Sequence, residues 1–211
     1  MKKSFDRSTL WSSVLCLLPI AFSLFFYNRL PDQIPTHWGL DFTPNGYSSK
    51  ATAVFLLPLA MLATNLLLHF LLNNDPKRAN AAKILSGVGK WAMPVISILL
   101  QTMVLASVFL GSASVRLFLP IFLGLMFVII GNYLPKCRQN YTVGFKIPWT
   151  LHSETNWNKT HKLAGYLWVV GGLLMMVLGL WLPWVMLPVL LVITVIPVIY
   201  SIYLYRTEDR H

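Results

Sequence analysis

Six runs of apolar residues, each about twenty long, occupy most of this chain. A helix rising about 1.5 Å per residue needs about that many to cross the roughly 30 Å hydrocarbon layer. The runs are Leu10–Tyr27, Ala51–Leu72, Leu85–Leu110, Leu117–Leu134, Leu163–Trp181 and Val185–Leu204. In lipid every backbone polar group must be satisfied within the protein, which makes helices the natural form of such runs. The expected class is therefore all-α, a polytopic membrane protein with a bundle of six transmembrane helices. Hydrophobic residues are 56% of the chain and charged residues 11%, against about 25% charged in soluble domains.

The formal net charge of +10 takes its meaning from where the charges fall. Lys2, Lys3 and Arg7 precede the first run. Lys77, Arg78, Lys83 and Lys90 lie between the second and third or at the start of the third. Lys136, Arg138, Lys146, Lys159 and Lys162 lie between the fourth and fifth, and Arg206 and Arg210 follow the sixth. Only Arg29, Lys50 and Arg116 fall on the other side. This is the positive-inside pattern, and it places both termini in the cytoplasm. The basic charge sets topology, and no direct contact with nucleic acid is implied. Aromatic Phe22, Phe25, Phe26 and Tyr27 continue the first run past the small pair Ala21 and Ser23. A retained helix is expected there rather than a cleaved leader. Cys16 and Cys137 stand at different depths, so no disulfide is expected.

Polar residues inside the runs are few. Asn65 and His69 share a helix face with Pro58, and Pro94, Ser97 and Gln101 line another. The sixth run carries Pro188, Thr194, Pro197 and Ser201. Interhelical hydrogen bonds and proline kinks relieved by neighbouring side chains account for these positions. No acidic residue, Lys or Arg lies near the middle of a run, which disfavours ion-coupled transport. Gly165, Gly172 and Gly179 recur every seven residues, a stripe that lets another backbone approach closely.

Two polar connections remain. Asn28 to Lys50 carries Pro31, Pro35 and Pro44 against helix, with turns expected at Gly39 and Asn45-Gly46. Trp38, Phe42 and Tyr47 suit the headgroup layer, and Ile34, Trp38 and Leu40 are expected to form a small apolar patch beside His37 and Asp41. His37 and Asp41 lack a third ligand, so no metal is expected. The second connection, Pro135 to Lys162, has Gly144 and Pro148 as breakers. Thr150 or Ser153 can then cap a helix that opens at Glu154 and runs into the fifth span. Trp157, Thr160, His161 and Ala164 fall on one face of that helix, with Glu154 a turn earlier. The expected role is an anchor, with Trp157 at the interface and Thr160 and His161 bonded to the preceding loop. No nucleophile–base pairing or phosphate loop accompanies them, so no enzyme and no cofactor are implied.

Leu30-Pro31-x-x-Ile34-Pro35-x-His37-Trp38, closing on Gly46 and Ser49-Lys50, resembles the small domain that opens many bacterial SdpI-type membrane proteins. Gly131-Asn132-Tyr133-Leu134-Pro135, then Asn140, Gly144, Pro148-Trp149-Thr150-Leu151, Glu154, Trp157 and Thr160-His161-x-x-Ala164-Gly165, resembles the SdpI signature. Phe145-Lys146-Ile147 departs from the family's usual Ile-Arg-Thr and replaces a guanidinium fork with a point charge. The resemblance divides the chain into a two-helix unit over 1–72, with loop 28–50, and a four-helix unit over 73–211, with loop 135–162. It implies a multi-pass protein of the bacterial cell membrane that confers immunity to a secreted, membrane-active peptide toxin. In some members a bound toxin also leads to sequestration of a cytoplasmic helix-turn-helix repressor. On this resemblance the extracellular recognition residues are Pro35, His37, Trp38, Gly46 and Lys50. The cytoplasmic coupling residues are Asn132, Asn140, Gly144, Pro148, Trp149, Thr150, Glu154, Trp157, Thr160 and His161. Two alternatives stay open: a small-solute channel or transporter using Asn65, His69 and Gln101, and a membrane-embedded enzyme acting on lipid or peptide with Glu154 and His161 as acid–base groups.

Overall fold

The computed structural model describes residues 6–77 and 83–208; Lys2, Lys3, Arg78 and Arg210 lie outside them. The helices are α1 (Arg7–Phe25), α2 (Lys50–Asn74), α3 (Lys83–Leu110), α4 (Ala113–Tyr133), α5 (Pro148–His152), α6 (Glu154–Leu178) and α7 (Met186–Glu208). All but the short α5 are long and apolar enough to cross a membrane. The expected all-α scaffold stands, with one addition that the sequence reading did not make. Between α1 and α2 the chain forms an antiparallel hairpin, β1 (Gln33–Trp38) and β2 (Pro44–Ser49). Ser153 caps α6, its Oγ accepting the Asn156 amide at 3.1 Å. Thr150, the other candidate cap, serves α5, where its hydroxyl oxygen accepts the Ile147 amide at 3.1 Å.

Two compact units emerge, one of residues 1–74 with 87–119 and one of 75–86 with 120–211. Helices in lipid gain nothing from leaving water, so packing and interhelical hydrogen bonds, about 0.6 kcal/mol each on average, select their partners. In the first unit the polar positions are spent this way. Asn65 Nδ2 donates to Ser12 Oγ at 2.9 Å, Ser97 Oγ to the Cys16 carbonyl at 2.9 Å, and Gln101 Nε2 to Ser23 Oγ at 2.9 Å.

Two of the helical prolines, Pro94 and Pro197, are served as expected. A helical proline leaves the carbonyl four residues earlier without its donor. In α3, Pro94 frees the Lys90 carbonyl, and His69 Nε2 of α2 meets it at 3.1 Å. A carbonyl only accepts, so the proton sits on Nε2, and His69 Nδ1 accepts from the Thr9 hydroxyl at 2.9 Å. In the second unit Pro197 frees the Ile193 carbonyl, and the Trp168 indole N–H of α6 donates to it at 3.0 Å. Two rings thus supply the donors that two prolines remove.

Asp6 caps α1 by accepting the Thr9 amide at 3.0 Å, and Lys90 Nζ lies 2.6 Å from its other oxygen. Burial opposes ionisation, but bonds from Lys90, Ser8 and the Thr9 amide, with the Lys90 charge, hold the Asp6 carboxyl well below the usual carboxylate range. A group depressed in the folded state stabilises fully above its unfolded value, about pH 4, and that contribution fades as pH falls toward the folded value. Asp6→Ala should therefore cost about 1 kcal/mol at neutral pH, as N-cap losses do. Thermal unfolding of the two proteins in detergent should converge as the pH is lowered below 4; a pH-independent gap would show that the carboxylate charge is not what stabilises α1.

In the second unit α4 and α6 cross on glycines. A Cβ on Gly131 would lie 3.0 Å from the Gly165 carbonyl, and one on Gly172 would lie 2.5 Å from the Gly124 carbonyl. The seven-residue stripe on α6 therefore meets a matching seven-residue pair on α4. α6 and α7 are tied by Asn156, whose Nδ2 donates to the Ser201 carbonyl at 2.9 Å while its Oδ1 accepts from the Ser201 hydroxyl at 2.7 Å.

Candidate functional site

The hairpin sits on the ends of the first unit's helices. Ile34 and Leu30 are buried against Ala53, Val54 and Val104, with Tyr27 and Trp38 packed around them. Two corrections to the expected loop follow. The reversal lies at Gly39 to Thr43, where the Gly39 amide donates to the Thr43 carbonyl and Phe42 adopts a φ of 63°; Asn45-Gly46 lies within β2. Phe42 is buried rather than presented, and that burial offsets the roughly 1–2 kcal/mol of a left-handed conformation. The expected apolar patch is also divided, because Ile34 is 1% exposed while Leu40 is 59% exposed.

The external candidates gather on this hairpin. Pro35 pairs with Tyr47, and His37 with Gly46, where a side chain would meet the His37 Cβ at 2.9 Å. His37 Nδ1 bonds Asn45 Oδ1 on the exposed side. The Trp38 indole N–H is covered and has no hydrogen-bond partner among the described residues. Lys50, first in α2, places its ammonium 3.8 Å from Asp32 and 5.1 Å from the centre of the Tyr27 ring. Around these, exposed Leu40 and Tyr47 leave an amphipathic surface.

The second candidate site is a buried cluster where the 135–153 segment folds over α6. Trp157 is completely buried; its indole N–H donates to the Cys137 carbonyl at 2.6 Å, and its ring stacks on His161 with centroids 4.0 Å apart. His161 Nδ1–H donates to the Trp157 carbonyl at 2.8 Å, and Nε2 accepts the Phe145 amide at 3.0 Å. Both ring nitrogens are thus occupied in the neutral form, which suits a structural post rather than a proton carrier. Gly144 has a φ of +117°, and a side chain there would run into His161 Nε2. Asn140 accepts the Thr142 and Val143 amides at 2.9 and 2.7 Å, and the Thr150 hydroxyl donates to the Phe145 carbonyl at 2.6 Å.

The structure therefore brings Asn140, Gly144, Thr150, Trp157 and His161 together. Thr160 is also buried, but it bonds Asn156 at 3.0 Å rather than the loop. Pro148 opens α5, and Trp149 lies against Tyr205 with centroids 6.2 Å apart. Asn132 and Glu154 are exposed and outside the cluster. Three contributors escaped the sequence reading. Gln139 Nε2 donates to the Thr150 and Leu151 carbonyls at 2.9 and 2.7 Å. Asp75 accepts the Tyr141 amide at 3.0 Å, and Asn156 acts as described above. Of the three only Asp75 carried a local signal, since Asp75-Pro76 marks a turn. Burial pushes the Cys137 thiol up, with the Asn140 bond opposing and the Asp75 charge reinforcing, so this cysteine is a packing residue.

Six long apolar helices, an ordered hairpin and a buried loop cluster define a multi-pass membrane protein with a structured cap on its polar connections. Residues 136–201, which hold the cluster, match the model of the SdpI/YfhL protein family. Residues 14–62, which include the hairpin, match a domain of unknown function, DUF1648. The chain is 26% identical over 204 residues to the "Immunity protein SdpI" of Bacillus subtilis (strain 168), covering 95% of this chain and 97% of that protein. No solved structure matches. The first motif lies within its matched stretch, and the second does so from Asn140 onward, its Gly131–Pro135 opening falling just before the match.

Proposed function

We propose that this chain is an immunity protein of the bacterial cell membrane that protects its host from a secreted, membrane-active peptide toxin. The observation that carries this reading is the end-to-end similarity to the Bacillus subtilis immunity protein, which runs through hairpin, helices and loop cluster alike. The positive-inside pattern favours cytoplasmic termini, and six crossings then put the hairpin outside and the 135–153 segment inside. A toxin entering the outer headgroup layer would meet Leu40, Tyr47 and the partly covered Trp38, with Lys50 and His37 beside them. Aromatic anchors with one polar end are effective at that depth. A non-enzymatic role is favoured by His161, whose nitrogens are held by backbone groups, and by exposed Glu154, for which no bond to His161 is made. Coupling inward would use the loop cluster as the responding element, and a helix-turn-helix repressor as its listener is what the family resemblance implies.

The test is protection. Expression of the full chain in a sensitive bacterium should raise the survivable dose of a sporulation-delaying-type toxin about tenfold or more. Tyr47→Ala on the hairpin surface and Lys50→Gln at the start of α2 should accumulate normally and lose most of that protection. Full protection by both variants would remove the hairpin as the recognition surface. No protection by the unaltered, membrane-inserted chain would remove the immunity reading itself.

A further inference from the structure

The segments that build the loop cluster have outward faces as well, and these enclose a hollow of about 440 Å³. Cys137 has an extended backbone and follows a 3-10 turn over Leu134–Lys136. Cys137 turns into the cluster, whereas Lys136 and Arg138 are exposed and line the hollow. On α6, Trp157 and His161 are buried in the cluster, while exposed Glu154, a turn before Trp157, and exposed Asn158, four residues on, line the hollow. The Trp157 indole bond to the Cys137 carbonyl ties the segment carrying Lys136 and Arg138 to the helix carrying Glu154. Lys136 is further steadied by its ammonium lying 4.9 Å from the centre of the Tyr133 ring.

Among the described residues no ion pair joins Glu154 to Lys136 or Arg138, although all three line one cavity. The hollow therefore presents two cations and one carboxylate that do not neutralise each other. Its depth is set by the apolar spans, since Lys136 ends the fourth and Glu154 begins the fifth. Both leave the hydrocarbon there, so the hollow opens at headgroup level. A purely anionic headgroup would satisfy the cations but face the carboxylate. A choline headgroup would bring a cation with no N–H to donate. A phosphate with a primary ammonium two carbons away answers both, since guanidinium and ammonium groups bind phosphate oxygens and a carboxylate accepts from –NH3+.

We propose that this hollow binds a phosphoethanolamine headgroup, with the phosphate held by Lys136 and Arg138 and the ammonium donating to Glu154. The source is the bilayer itself, as phosphatidylethanolamine. The assignment does not rest on the immunity reading.

The experiment is native mass spectrometry of the full chain released from mixed micelles containing equal amounts of phosphatidylethanolamine, phosphatidylglycerol and phosphatidylcholine. The ethanolamine lipid should be retained about tenfold over the choline lipid, a ratio of the size that one charge-assisted hydrogen bond supports. Glu154→Gln should bring that ratio close to unity while leaving glycerol-lipid retention unchanged or raised. Arg138→Gln should weaken retention of both the ethanolamine and glycerol lipids. Both residues are exposed, and unchanged amide exchange at Phe145 would show that the cluster beneath is intact. Absence of an ethanolamine preference, or a preference indifferent to Glu154→Gln, overturns the proposal. Free phosphoethanolamine, added as competitor, separates the sources: binding of the free compound without retention of the lipid would overturn the bilayer assignment.

Discussion

Gly172→Leu should abolish the packing of α4 on α6 and, with it, the accumulation of folded protein in the membrane. Even one carbon at this position lies 2.5 Å from the Gly124 carbonyl oxygen and 3.0 Å from the Val128 nitrogen. Overpacking against side chains costs about 1–3 kcal/mol, because rotamers can yield. Here the opposing atoms are backbone, so the helices themselves must separate. Separation would also lose the close approach at Gly131 and Gly165, where a Cβ on Gly165 lies 2.8 Å from the Gly131 carbonyl. With net stabilities of about 5–15 kcal/mol, a loss spread along a whole crossing is disabling. Size-exclusion profiles of detergent extracts would report it as loss of the monodisperse peak. Gly87→Ala is the matched control, because a Cβ there meets nothing within 4 Å. If Gly172→Leu runs like the unaltered chain, the glycine crossing is not what holds these helices.

The second large effect is expected at Gly144→Ala. Two costs add: a backbone at φ +117° that L-residues rarely adopt, about 1–3 kcal/mol, and a methyl driven into His161 Nε2. Displacing the imidazole also strips the Phe145 amide of its acceptor, at about 1–3 kcal/mol for a buried donor left unpaired. The 140–150 amides should then exchange much faster while the α7 amides keep their protection. A double-mutant comparison isolates the collision. In a His161→Ala background the obstacle is absent, so Gly144→Ala should cost only its backbone share. Equal costs in both backgrounds would mean that Gly144 and His161 do not oppose each other.

How far these features were readable depends on the physics behind each. Membrane spans announce themselves, because a hydrocarbon layer of fixed thickness demands an apolar run of fixed length. The face holding Trp157, Thr160 and His161 was readable because helical periodicity aligned it. The hairpin was not. Pro35 and Pro44 read only as opposing helix and Asn45-Gly46 as a turn, yet in a two-stranded sheet both strands are edges, where a missing N–H can face away from the partner. The register also slips between Pro35 and Trp38, so no clean alternation marks the strands. Phe42 misled for a related reason, since an aromatic ring is an improbable occupant of a left-handed turn. The glycine stripe on α6 signalled a close neighbour, but its partners Gly124 and Gly131 on α4 required the register of the crossing. Asn156 and Gln139 carry no pattern of their own; their roles exist only where another element supplies carbonyls.

The ring that serves the carbonyl freed by Pro94 has a consequence for acid exposure. His69 grips the Lys90 carbonyl through Nε2–H, and an imidazole keeps that hydrogen whether neutral or protonated. What protonation changes is the opposite nitrogen, where the Thr9 hydroxyl would have to reverse from giver to receiver. The third helix is thus fastened to the second near Pro94 by a pH-indifferent clasp, while the adjoining contact with the first helix turns over.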